Sequence, residues 1–171
     1  MNPTITKQER FPDCFSGDAG ITPLHPVGLC YTDRTKCALR ICFDAHKGQT
    51  DKGGMPYVLH PIHLAEQMDT EDEICTALLH DVVEDTDYTL DDLRKAGFSE
   101  TILEAIALLT HDPQIPYMDY VLGTRNNPLA RKVKLADLLH NSDLGRLEHP
   151  TEHDIQQQTK YLAAMKLLQE E

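Results

Sequence analysis

The chain has 171 residues, 40% hydrophobic and 26% charged, with a formal net charge of −12 at pH 7. The length suits one domain with its own core. No apolar run approaches the roughly 18 residues a membrane span needs, and the charge argues against a nucleic-acid-coating protein, which would carry a basic footprint.

Residues 1–30 hold prolines and glycines without a period of 2 or 3.6 and read as an irregular N-terminal extension. Residues 31–171 are expected to form the functional domain. From Thr32 the pattern turns helical, with Asp33 as the expected cap and Cys37, Leu39, Ile41, Cys42 and Phe43 following, until GQTDKGG breaks it. Cys42 and Cys75 are expected in the core. Five cysteines without a CxxC pair argue against a disulfide framework or a zinc ribbon. With no secretory signal at the N-terminus, the reading is cytoplasmic.

Pro61 suits a first helical position, so a short helix over 61–68 is expected just after His60. Thr70 and Glu73 form a capping box that opens a helix over roughly 71–84. Thr89 caps a short helix that Gly97 ends, and Ser99 caps TILEAIALLT. A helix over about 117–123 precedes Asn127-Pro128, which opens LARKVKLADLLHNSDLGRL. Thr151 with Asp154 opens a final helix whose expected core face is Ile155, Leu162, Met165 and Leu168. Nothing reads as a strand. The expected class is all-α, with about seven or eight helices.

The segment LLHDVVEDTDYT, residues 78–89, places Asp81, Glu84, Asp85 and Asp87 at the negative end of the 71–84 helix, where they oppose the dipole and each other. A cation would relieve this. Helical spacing lets His80, Asp81, Glu84 and Asp85 face one site, and imidazole beside carboxylate suits a divalent ion of the manganese, iron or zinc type. His60, in a backbone setting restricted by Pro61, is a third expected ligand. Asp137, in an apolar helical context where an unpaired carboxylate is costly, is a fourth. His60, His80, Asp81 and Asp137 would leave coordination positions open for water and substrate. His46, His63 and His140 read as packing histidines. Lys47, Lys134, Arg125 and Arg146 are candidate phosphate contacts, and Lys52 is better placed than any of them.

DAHKGQ (44–49), PYVLHP (56–61), ALLHDVVEDT (77–86) and KLADLLHN (134–141) together resemble the hydrolase domain of the RelA/SpoT homologues. These are HD-domain metal-dependent phosphohydrolases with a helical-bundle fold. The resemblance spans roughly residues 34–147. It implies a manganese ion on His60, His80, Asp81 and Asp137, and Glu84 with Asp85 as the catalytic pair for water activation and proton transfer. It further implies contact between Asn141 and the nucleotide sugar. The implied activity is that of a stand-alone small hydrolase removing the 3′-pyrophosphate of ppGpp and pppGpp, with a small-molecule nucleotide as its partner. Where relatives read Arg-Lys-Ser-Gly, with the Arg stacking on the base, this chain reads Asp51-Lys52-Gly53-Gly54. Lys52 is kept for phosphate, and Asp51 leaves base preference open. An HD-domain phosphatase acting on NADPH or another nucleotide is therefore an alternative, and a non-catalytic nucleotide-binding regulator is a further one.

Overall fold

A computed structural model describes residues 31–170, so the expected N-terminal extension lies outside the described residues. Eight α-helices of six residues or more and one four-residue turn of helix follow in order: α1 Asp33–Ala45, α2 Leu59–Ala65, α3 Glu71–Leu79, α4 Val82–Asp85, α5 Leu90–Lys95, α6 Glu100–Leu109, α7 Tyr117–Gly123, α8 Pro128–Ser142 and α9 Glu152–Gln169. There is no strand among the described residues, only an isolated bridge between Thr50 and Pro56. No helix there is long and apolar enough to cross a membrane.

α3 is the axis of the bundle. Every residue from Ile74 to Leu79 is buried, because α3 is packed by α1, α2, α6 and α8. Cys37, Cys42 and Cys75 are all buried as free thiols. Leu78, 1% exposed, sits in the main core. Leu78→Ala is expected to cost about 3–5 kcal/mol of unfolding free energy, the range for a buried leucine that leaves a cavity, measurable by urea denaturation.

The helix expected over 71–84 is in fact two. α3 stops at Leu79, and the chain turns at Asp81 (φ −98°, ψ −5°), in the sparsely populated bridge region, before α4 begins. The Ala77 carbonyl, which would take the Asp81 N–H in a continuous helix, accepts instead from His80 Nδ1 at 2.8 Å. Glu84 and Asp85 therefore occupy the first turn of a new helix, not the repelling end of a long one.

Other differences have simple causes. α2 starts two residues before the expected Pro61, placing His60 inside the helix. Proline at its third position costs little, since the first N–H groups of a helix lack partners anyway. Thr32, not Asp33, caps α1. On α9, Ile155 and Leu162 are exposed at 51% and 45% while Leu168 and Ala164 are buried. Tyr161, Ala164, Met165 and Leu168 share the stripe that meets α7 and α8; Leu162 lies about 120° around the helix from Leu168. Phe43 and Leu139 are also exposed.

Candidate metal centre

Three elements converge on one buried point. His60 comes from α2, His80 and Asp81 from the break between α3 and α4, and Asp137 from α8, and these helices pack on one another. Ligand atoms of His60, His80 and Asp137 all lie within 4.8 Å of one another. Asp81 Oδ2 is 2.8 Å from His80 Nε2 and 3.7 Å from His60 Nε2, and Asp137 Oδ1 is 3.2 Å from His60 Nε2. Adjacent ligands of one ion with bonds near 2.1 Å stand about 3.0–3.4 Å apart, so the spacing suits a single cation.

The donor set fits that ion for a second reason. Nε2 of His60 and Nε2 of His80 are both buried and form no well-aligned hydrogen bond, although each faces a carboxylate oxygen, at 3.2 and 2.8 Å. A shared dication would take one lone pair from each imidazole and bring the facing carboxylates into its shell.

Behind each expected ligand stands a group that orients it, as metal sites require. His80 Nδ1 is held by the Ala77 carbonyl. His60 Nδ1 meets His140 Nδ1 at 2.6 Å, a contact that holds one proton. Burial, then the charges of His60 and Arg146, lowers His140 to about 4, so this imidazole is neutral at pH 7. The Tyr57 hydroxyl makes a short hydrogen bond to Asp81 Oδ2; burial and then Asp81 push its pKa far upward, which keeps it a donor. Asp137 takes a hydrogen bond from Lys134 Nζ at 2.9 Å and from Asn141 Nδ2 at 2.5 Å. Burial opposes its ionisation, yet Lys134 holds it well below the carboxylate range. Lys134 is thus a buried counter-ion, and Arg125 is tied to the Leu167 carbonyl, so neither matches its expected phosphate role.

Glu84 and Asp85 border the centre differently. Glu84 Oε2 accepts from the His111 N–H at 2.8 Å, which pins the loop after α6 and leaves one oxygen for chemistry. Asp85 is braced through its backbone: Gln49 Nε2 donates to the Asp85 carbonyl at 3.3 Å, and Gln49 Oε1 meets His46 Nδ1 at 2.8 Å. Burial, followed by the Asp81 charge, raises the pKa of Asp85. Burial and the Asp81 and Asp85 charges likewise raise Glu84, against the His111 hydrogen bond.

A cavity of about 270 Å³ opens from His60 and Tyr57 toward the 51–52 loop and α9, with Lys52 and Asn141 both on its wall. Its acids are already engaged. Asp143 Oδ1 accepts from the Gly145 N–H at 2.8 Å, and Asp154 Oδ2 accepts from the Thr151 N–H and hydroxyl at 2.9 and 2.6 Å. Lys52 has no hydrogen bond or ion pair among the described residues. Lys52 and Arg146 are the cations on this wall, set among the carboxylates of Asp51, Asp143 and Asp154.

One consequence concerns protons. Burial disfavours a charged His80, but Asp81 beside it and Asp137 beyond raise it from 6.5 to about 9, so the metal-free protein carries this proton at pH 7. A metal on Nε2 must displace it. Manganese affinity is expected to rise about tenfold per pH unit below 9 and then level off. Calorimetry in buffers of different ionisation enthalpy should find about one proton released per metal at pH 7.5.

An all-α bundle that gathers two histidines and two aspartates beside a cavity walled by Lys52 and Arg146 has the make-up of a metal-dependent phosphohydrolase. The HD domain model matches residues 55–142, just over half of the chain, and the chain belongs to the HD domain family. Among its relatives are two proteins described as guanosine-3′,5′-bis(diphosphate) 3′-pyrophosphohydrolase MESH1. The Mus musculus protein is 35% identical over 140 residues, covering 71% of this chain and 77% of the relative. The Homo sapiens protein is 35% identical over 127 residues, covering 66% and 70%. The bifunctional (p)ppGpp synthase/hydrolase SpoT of Escherichia coli K12 is 29% identical over 123 residues, 63% of this chain but 17% of SpoT. The solved structure of a metazoan ortholog of SpoT superposes with a TM-score of 0.68 at 24% identity, covering 81% of this chain and 87% of that one, and shares the fold.

From sequence, Tyr57 had no role, His140 read as a packing histidine, and Arg146 was a candidate phosphate contact with no link to Asp51. The tyrosine and His140 sit inside the quoted PYVLHP and KLADLLHN segments, so the motifs held a signal; the pairing of residues 51 and 146 left none.

Proposed function

We propose that the protein hydrolyses guanosine alarmones at the 3′ position, converting ppGpp or pppGpp to GDP or GTP and pyrophosphate. His60, His80, Asp81 and Asp137 are the ligands of one divalent ion, manganese in this reading. The observation that carries the proposal is the buried convergence of His60, His80 and Asp137 ligand atoms within 4.8 Å of one another, with His60 also lining a cavity that Lys52 and Asn141 share. Similarity to MESH1 over 77% of its length supports the choice of substrate. The buried thiols of Cys37, Cys42 and Cys75, none of them in a disulfide, suit a reducing cytoplasm.

When bound, the ion supplies Lewis-acid activation and neutralises phosphate charge. The chain supplies the rest. Glu84 and Asp85, made more basic by burial and by Asp81, take a proton from the attacking water. The water oxygen bonds to phosphorus, the bond from phosphorus to O3′ breaks, and the proton passes to O3′. Lys52 meets charge on the phosphate oxygens, and Asn141, its amide tied to Asp137, presents its remaining polar atoms to the sugar.

Asp51 was the reason to consider NADPH. Its carboxylate accepts from the backbone N–H groups of Gly53 and Met55, each at 2.9 Å, which gives Asp51 a role in holding the loop. The test is pyrophosphate release from ppGpp by the manganese-loaded protein, with NADPH alongside. Rapid release from ppGpp is expected; phosphate release from NADPH alone would replace the reading, and metal and nucleotide binding without any turnover would favour a regulator.

A further inference from the structure

Asp51 and Arg146 meet across the cavity mouth. Asp51 Oδ2 lies 3.5 Å from Arg146 Nη1, an ion-pair distance too long for a good hydrogen bond. The backbones approach as well: a Cβ at Gly53 would come within 3.3 Å of the Arg146 carbonyl oxygen, so the 51–54 loop packs closely on the 144–146 turn. Arg146 is therefore positioned by charge and by backbone contact. Among the described residues its guanidinium makes no hydrogen bond, so its Nη donors remain available to a ligand.

The two cations of the cavity differ in what they can read. Lys52 is a point charge suited to phosphate, whereas the planar guanidinium presents paired donors in fixed geometry. Arg146 lines the cavity together with Leu144, Leu147 and Tyr161, and His60 and Tyr57 line it too. A nucleotide whose 3′ group reaches His60 would lay its base against the Leu144–Leu147 turn. An arginine fork matches the O6 and N7 acceptors of guanine; adenine places an N6 donor where O6 would be.

We infer that Arg146, held in place by Asp51, reads the base of the nucleotide and selects guanine through O6 and N7. This rests on the nucleotide-hydrolase reading above and adds a specificity-determining residue to it. Residues 51 and 146 both fall outside the 55–142 segment that the HD domain model matches.

The test is calorimetric titration of the manganese-loaded protein with GDP and with ADP, which report base recognition without turnover. Wild type is expected to bind GDP about 5- to 150-fold more tightly, the range for one bidentate base contact. Arg146→Gln should erase or invert that ratio, since an amide pairs better with adenine. Arg146→Lys, which keeps the charge beside Asp51 without the fork, should bind both nucleotides with a preference reduced at least fivefold. In ppGpp hydrolysis both variants should raise KM and leave kcat within a few-fold, because the metal set is untouched. An unchanged GDP:ADP ratio in Arg146→Gln overturns the inference, as does equal weakening of both nucleotides, which would make Arg146 a phosphate contact. Wild type lacking base preference while hydrolysing ppGpp overturns this inference and leaves the hydrolase reading intact. A GDP preference lost in Arg146→Gln, with no ppGpp turnover, upholds base reading and defeats the hydrolase reading.

Discussion

Asp81→Asn is expected to lower ppGpp hydrolysis by at least about 1,000-fold, beyond the roughly 10- to 100-fold typical of residues that only support a ligand. The substitution is nearly isosteric and keeps an oxygen for the Tyr57 hydroxyl, so the turn at 81 and the α3–α4 junction survive. What disappears is the charge. In the metal-free protein that charge raises His80 to about 9. Without it His80 falls toward neutrality, and metal affinity falls because one anionic donor is gone. Circular dichroism should show an unchanged helical signal, and metal analysis after dialysis should show a loss of bound manganese. Retained activity with retained metal would remove Asp81 from the ligand set.

Glu84→Gln and Asp85→Asn form the second large-effect pair. Each is expected to reduce kcat by about 10²- to 10⁴-fold, the usual worth of a positioned acid or base, with manganese still bound. The amide oxygen that Glu84→Gln introduces can still accept from the His111 N–H, so the loop after α6 should stay in place. Asp85 has its backbone carbonyl braced by Gln49, and that bond is indifferent to the side chain. The two substitutions therefore separate proton transfer from architecture. Steady-state kinetics with metal content measured on the same samples decides the matter; a fall in kcat matched by a fall in bound metal would reassign either residue to holding the ion.

Much of the fold was legible because it is written locally. Thr70 with Glu73 and Thr151 with Asp154 make the reciprocal caps their spacing announces, and Thr89 with Asp92 does the same. Asn127-Pro128 opens α8 and Ser99 caps α6 as expected. These signals involve residues three or four apart and need no tertiary information. The faces of helices were harder. Ile155 and Leu162 are as apolar as Leu168, yet only the neighbours α7 and α8 determine which stripe of α9 is covered. The break at His80–Asp81 was equally hidden, since it depends on an imidazole competing for the Ala77 carbonyl and being buried while doing so.

The candidate site divides in the same way. His60, His80, Asp81 and Asp137 could be nominated from the chain alone, because histidine and aspartate in apolar, helix-forming segments are costly unless something uses them. Their convergence is tertiary: α2, α3 and α8 must pack for Nε2 atoms 20 residues apart in sequence, and a carboxylate far beyond them, to share one point. The roles of Lys134, Tyr57, His140 and Arg146 were decided only there. A lysine three residues before an aspartate reads as a solvated surface group until burial makes it a counter-ion. Asp51 reads as the loss of a base contact until folding brings Arg146 beside it from 95 positions away. Sequence by itself determined most of the helices and caps and the chemical types at the centre, which follow from spacing and side-chain chemistry. Tertiary structure decided which charges are paired and which remain free for substrate, because pairing depends on distance in space.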